Sequence, residues 1–140
     1  MPGDENHSVL RFEHVSLAFD QTPVLEDVCF EIQQGETRII LGSAGSGKTV
    51  LLKTALGLLS PDSGRVLVFG QDITRMSEAE MFDMRAKVGM LFQEGGLFDS
   101  LSIEENVAYP LLNQRLLRVP VSEALPRVEE ALQFVELEHT

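Results

Sequence analysis

LGSAGSGKTV, residues 41–50, places three glycines, a lysine and a hydroxyl side chain within ten positions. Gly42, Gly47, Lys48 and Thr49 satisfy the spacing G-x-x-x-x-G-K-[ST]. The motif acquires meaning only from its flanks. Before it, QQGETRIIL runs from a glycine turn into an apolar segment, which predicts a short strand over 37–41. After it, KTVLLKTALGLLS carries Leu52, Leu56 and Leu59 at helical spacing, with Val50, Leu51 and Ala55 widening the same face and Gly57 marking the end. Between a strand and a helix, such glycines let the backbone curl so that successive N–H groups of Ser43, Ala44, Gly45 and Ser46 point inward. The positive end of the helix dipole adds to that anion nest. Lys48 then reaches terminal phosphates as a point charge, and the Thr49 hydroxyl ligates a magnesium ion that bridges them. The competing reading is a flexible turn with an exposed lysine, and the agreement of strand, loop and helix weighs against it.

The rest of the chain is consistent with one globular domain or part of one. The net charge of −11 argues against a binder of phosphate backbones, which would show a basic face, so no nucleic-acid partner is expected. The opening MPGDENHSVL lacks the basic start and apolar run of a secretory signal, and no apolar run approaches the roughly 18 residues of a membrane span. A cytosolic chain is therefore expected. Cys29 is the single cysteine, and its position after Val28 in an apolar strand reads as a small core residue rather than a reactive thiol.

SVLRFEHVSLAF (8–19) and VLEDVCFEI (24–32) alternate as strands do, and the turn-prone DQTP between them makes them neighbours. RVLVFG (65–70) and VGMLFQ (88–93) read as buried strands. SEAEMFDMRAK (77–87) reads as a helix capped by Ser77 with Glu80 three residues on. The alternation of strand and helix predicts a parallel sheet. Beyond Gly95 the texture is helical, with Ser102 and Ser122 as candidate caps.

A loop of this kind serves several enzyme classes. No asparagine-lysine-x-aspartate segment of the GTPase type is present, and no arginine cluster completes the site of a compact kinase. The stretch from VSLAFDQTPVLEDV through SPDSGRVLVFGQDI resembles the ATP-binding subunits of ABC transporters, and VGMLFQ matches their Q-loop strand. The resemblance implies an α/β P-loop NTPase, with a RecA-like core, an N-terminal antiparallel β subdomain and the start of a helical subdomain. It divides the chain into 1–93, the β subdomain with the P-loop core, and 94–140, the Q-loop with the first helices. ATP and Mg2+ are the implied ligands. VGMLFQEGGLFDSLSIEENVAYPL looks most like the Mla-type ATPases, which implies a phospholipid or related lipid as cargo; an amino-acid importer is the alternative.

Position by position, the resemblance gives Phe19 the stacking contact with adenine, worth about 1–3 kcal/mol in comparable base stacks, against a plain reading as a strand-end core aromatic. Gln93 becomes the Q-loop glutamine, contacting magnesium or the attacking water, against a plain strand-end polar residue. Phe98 and Tyr109 fall where the family grooves a permease coupling helix, against ordinary packing. A second ATPase subunit, as a homodimer, and a permease that holds the protein at the inner face of the membrane are the implied partners. Val50 stands where many members carry a second hydroxyl residue, so one side-chain hydrogen bond to nucleotide is lost there. The resemblance further implies that these residues are the N-terminal part of the domain. No leucine-serine-glycine-glycine signature, Walker B carboxylate pair or switch histidine is recognisable: Asp72 in VLVFGQD follows an interrupted apolar run, LQFVELE reads as an amphipathic helix, and His7, His14 and His139 belong to none of the motifs. These residues by themselves are accordingly expected to bind nucleotide without hydrolysing it. A DNA-repair ATPase of the same superfamily is disfavoured by the acidic balance.

Overall fold

The computed structural model describes residues 8–93, 95–113 and 119–137. His7 and His139 lie outside them. The chain forms two compact units, residues up to Met84 and from Arg85 onward.

The first unit is built on a hairpin. Strand β1 (Ser8–Phe19) pairs antiparallel with β2 (Thr22–Gln33). The two residues between them, Asp20 and Gln21, have φ 48° and 66°, the left-handed pair that a two-residue turn needs to match the twist of its strands. β3 (Ser63–Val68) pairs antiparallel with the other edge of β1, and the short β4 (Gln71–Asp72) with β3, giving the order β2-β1-β3-β4. Phe12, Val15 and Leu17 of β1 are buried with Leu25, Val66 and Val68, and Phe12 stacks on Phe30 at 4.7 Å between ring centroids. The step from Phe12 to Val15 is odd, which in a regular strand would put the two on opposite faces. A bulge corrects it: between the pairs Phe12↔Phe30 and Val15↔Val28, two residues of β1 oppose one of β2. A second bulge, now on β2, lies between Val15↔Val28 and Leu17↔Leu25. β3 runs close behind the first bulge, where Gly64 at φ 86° leaves room for the backbone carbonyl of His14 that any Cβ would strike.

Helix α1 (Lys48–Ala55) follows the glycine-rich loop and buries Leu51 and Thr54. Helix α2 (Glu78–Arg85) buries Met81 and Met84. It opens as the sequence predicts, Ser77 N–H and Oγ donating to Glu80 Oε2 at 2.8 and 2.7 Å, with Glu80 N–H returning to Ser77 Oγ. In the second unit, α3 (Ile103–Asn113) packs on α4 (Val121–Phe134) through Ala108, Ala124 and Val128. Ser102 caps α3 by the same box with Glu105.

Four expectations are corrected. The sheet is antiparallel, not parallel, and the segments 37–41 and 88–93 are not strands. A strand exists only where a neighbouring backbone completes its hydrogen bonds, and none among the described strands pairs with either segment; Leu41 is 89% and Leu91 97% exposed. Cys29 is exposed rather than in the core, because the bulge in β2 turns Val28 inward and Cys29 outward. The cap of α4 is Pro120, and Ser122 lies within the first turn. Among the described residues no helix is long and apolar enough to cross a membrane.

Candidate nucleotide site

The loop between residue 41 and α1 folds over its own lysine. Lys48 Nζ donates to the carbonyl oxygens of Gly42 at 2.8 Å and Ser43 at 2.6 Å, and to Ser46 Oγ at 3.2 Å. Ser46 N–H closes a turn on Ser43 O. The curl leaves little room at two of its three glycines. A Cβ on Gly42 would collide with Ser46 Oγ, and Gly47 sits at φ 86° with Val24 O at 3.0 Å from where its Cβ would be.

Gly47 is also the N-cap of α1 and supplies no side-chain cap, so the first N–H groups of the helix, those of Lys48, Thr49 and Val50, have neither an intrahelical acceptor nor a capping oxygen. No acidic residue occupies that first turn. Orphan donors, a dipole end and a lysine ammonium converge at one place, and each of the three favours an anion. Thr49 is exposed at that turn with its hydroxyl available to a cation, while Val50 is half-buried and its carbonyl accepts from the Thr54 hydroxyl at 2.8 Å. Ala44 and Gly45 are exposed at the tip. These residues fit a nucleotide triphosphate with its magnesium ion.

A cavity of about 410 Å3 opens beside the loop between β2 and residues 38–42, lined by Val28, Phe30 and Ile40 on one hand and by Arg38 and the loop residues Gly42, Ser46, Gly47 and Lys48 on the other. Neither Thr49 nor Phe19 lines it. Phe19 ends β1 opposite Thr22 and is 46% exposed, which removes its plain reading as a buried core aromatic. Asp72 is engaged elsewhere, accepting from Thr74 N–H at 3.0 Å to cap the 3-10 turn Ile73–Arg75. His14 is an exposed residue of β1.

Gln93, Phe98 and Tyr109 belong to the second unit. Gln93 is exposed. The rings of Phe98 and Tyr109 meet at 4.5 Å with a 48° tilt, and both remain nearly half exposed. The residue that sequence reading passes over is Asn106, whose amide fixes the backbone of Phe98 from one turn into α3. Its place in SLSIEEN, four residues after the cap serine, was the available signal.

Antiparallel sheet, glycine-rich loop and uncapped helix define the class as a P-loop NTPase. The sequence profile of the ABC transporter family matches residues 25–140, and the chain belongs to that family as part of its ATP-binding domain, which binds ATP with Mg2+. It is 39% identical over 120 residues to the Probable ribonucleotide transport ATP-binding protein mkl of Mycobacterium leprae (strain TN), covering 86% of this chain and 34% of that protein. It is 37% identical over 132 residues to the Methionine import ATP-binding protein MetN of Rhizobium johnstonii, covering 94% of this chain and 36% of that one. The chain thus spans about a third of the length of these curated relatives. Among solved structures, the ATP-binding cassette MJ0796 in a dimeric post-hydrolysis state bound to ADP and Pi superposes with a TM-score of 0.83 at 27% identity, over 93% of this chain and 58% of that one. CbiO1 from Clostridium perfringens, part of the ABC transporter complex cbiONQ, gives 0.80 at 30% identity over 95% of this chain and 52% of that one.

Proposed function

We propose that this chain is part of the ATPase subunit of an ABC transporter, holding ATP on residues 42–50 and coupling its hydrolysis to a membrane permease. The observation that supports this most is the Lys48 ammonium lying across the Gly42 and Ser43 carbonyls beside an uncapped helix start. Backbone donors of the loop would hold the phosphates, Lys48 would neutralise charge at the terminal ones, and the Thr49 hydroxyl would hold Mg2+, which would supply further neutralisation of the phosphate charge. Phe19 offers a face to the adenine. Gln93 acts at the metal or the attacking water and transmits nucleotide state to the permease, which docks over Phe98 and Tyr109. A second ATPase subunit completes the site, as the dimeric cassette relative suggests, and the permease holds the pair at the inner face of the membrane. Residues 1–140 taken alone bind without turnover in this reading, since the Walker B carboxylates and the signature are not among them.

For the cargo, our reading is a phospholipid or related lipid, and its support is the segment 88–111 alone. Methionine import, the activity named for one relative, is the second reading, favoured by 37% identity over nearly the whole chain. The loop chemistry is common to both. Isolation of the complex from native membranes separates them: a permease with bound phospholipid supports the first, and a permease with a methionine-binding protein supports the second and overturns the lipid.

A further inference from the structure

Two of the register shifts in the β1–β2 hairpin, both bulges, lie on either side of the single pair Val15↔Val28. On β1, Glu13 and His14 oppose Cys29 alone; on β2, Glu26 and Asp27 oppose Ser16 alone. Each bulge contains a non-glycine residue in the left-handed region, His14 at φ 52° and Asp27 at φ 47°, a conformation sparsely used by residues bearing a Cβ and found where surrounding structure holds it in place. The outcome is a convergence of one side chain of β1 with two of β2. One ligand atom from each of His14, Asp27 and Cys29 lies within 4.8 Å of the other two. His14 Nδ1–H donates to Asp27 Oδ1 at 2.7 Å, and the backbone N–H of His14 donates to Cys29 Sγ at 3.1 Å. Asp27 is itself held, its N–H donating to Ser16 Oγ at 3.0 Å.

We propose that His14, Asp27 and Cys29 form a binding site for a borderline-soft divalent metal ion, with Zn2+ the ion that fits the donor set and water filling the fourth position. One nitrogen, one sulfur and one carboxylate oxygen do not suit Mg2+ or Ca2+, which take oxygen ligands, and are the donors that tetrahedral Zn2+ combines. Tetrahedral bonds of about 2.0–2.3 Å set the ligand atoms roughly 3.3–3.8 Å apart. The His14–Asp27 contact therefore opens by about half an ångström and the sulfur closes by up to about one, movements open to side chains that are 78% and 75% exposed at His14 and Asp27. On binding, the Cys29 thiol releases its proton to solvent, and His14 shifts its proton from Nδ1 to the other ring nitrogen, leaving Nδ1 as the ligand. The His14 backbone N–H, already aimed at the sulfur, then stabilises a thiolate as an outer-shell donor. None of the three residues belongs to the phosphate loop. Its effect is to fasten β1 to β2 across the bulges.

Cobalt(II) is the probe, because a cobalt–thiolate bond produces a charge-transfer absorption that oxygen-bound cobalt lacks, and Cys29 is the single sulfur-bearing thiol of the chain. The reduced, chelator-treated protein, free of nucleotide, is titrated with Co2+. Saturation of that band at one equivalent, its bleaching by Zn2+, a rise in unfolding temperature with Zn2+, and at least tenfold weaker binding in His14→Asn and Asp27→Asn support the site. Asparagine tolerates the left-handed backbone at both positions, so these variants keep the hairpin, which circular dichroism verifies. Absence of the band at saturating Co2+ overturns the proposal. So does a band whose affinity is unchanged in both asparagine variants, which would reduce it to adventitious binding at an exposed thiol.

Discussion

Asn106 holds the backbone of Phe98 from both sides: its Oδ1 accepts from Phe98 N–H at 2.7 Å and its Nδ2 donates to Phe98 O at 3.1 Å. The same Nδ2 reaches the carbonyls of Leu101 and Ser102 at 3.2 and 2.9 Å. One half-buried side chain therefore stands in for a strand partner along the loop that presents the Phe98 ring to Tyr109. Asn106→Ala is expected to lower the stability of the second unit by roughly 2–4 kcal/mol, the net worth of the four lost hydrogen bonds, and to speed exchange of the Phe98 amide. Asn106→Asp, which retains the acceptor and loses the donors, should fall between. Hydrogen exchange combined with denaturant unfolding measures both, and an unchanged Phe98 amide in Asn106→Ala would show that the loop is held by other contacts.

Much of this architecture is legible in the sequence where it depends on neighbours along the chain. Ser77 with Glu80, and Ser102 with Glu105, are caps that a four-residue window displays, and the loop residues from Gly42 to Thr49 specify their own curl. Ladder partners are another matter. The apolar run at 37–41 looks like a strand in any window, but its hydrogen bonds must come from elsewhere, and no described strand supplies them. The bulges fall in between. Phe12, Val15 and Leu17 are spaced three and then two, and Leu25, Val28 and Phe30 likewise, so the odd step in each strand already requires an extra residue there. Taking those steps literally places Cys29 outside, whereas treating 24–32 as a regular apolar strand places it inside. The Asn106 clamp joins residues eight apart through a side chain, which no periodicity reports.

Gly47 and Gly35 separate two costs of a glycine. Both have positive φ, 86° and 79°, but a Cβ on Gly35 meets nothing within 4 Å while one on Gly47 meets Val24 O at 3.0 Å. Gly35→Ala should cost about 1 kcal/mol from backbone conformation alone. Gly47→Ala should cost clearly more, roughly 2–3 kcal/mol, and weaken nucleotide binding by shifting the loop. Equal losses in a thermal or urea unfolding series would mean that β2 yields to the added methyl.

Glu80 and Glu105 set an acid limit on the helix starts. The Ser77 hydroxyl, then the Ser77 N–H, hold the Glu80 carboxyl below its ordinary range, and the Ser102 N–H, then its hydroxyl, do the same for Glu105. A carboxylate with a depressed folded-state pKa contributes stability that is complete above its unfolded value and is lost as pH falls through the folded one. The first turns of α2 and α3 should therefore hold steady above about pH 5 and fray below it. Ser77→Ala and Ser102→Ala should be weaker at neutral pH and show a shallower acid decline. A decline of unchanged steepness in both variants would assign the acid sensitivity to other groups.

Lys48 has two duties that a pair of ligands can distinguish. In the free loop its ammonium bridges the Gly42 and Ser43 carbonyls and Ser46 Oγ, so it shapes the nest as well as charging it. Removing it deletes the cation nearest the terminal phosphates, and Lys48→Ala is expected to weaken ATP binding at least tenfold, about 1.4 kcal/mol. If the charge matters most, ATP should lose more affinity than ADP, because ADP lacks the phosphate on which that charge acts most strongly. If the lysine matters mainly as a brace, the nest itself is distorted and both nucleotides should weaken alike. Calorimetric titration of wild type and variant with each nucleotide in magnesium-containing buffer decides between them. Unchanged ATP affinity in Lys48→Ala would remove the loop from nucleotide binding altogether.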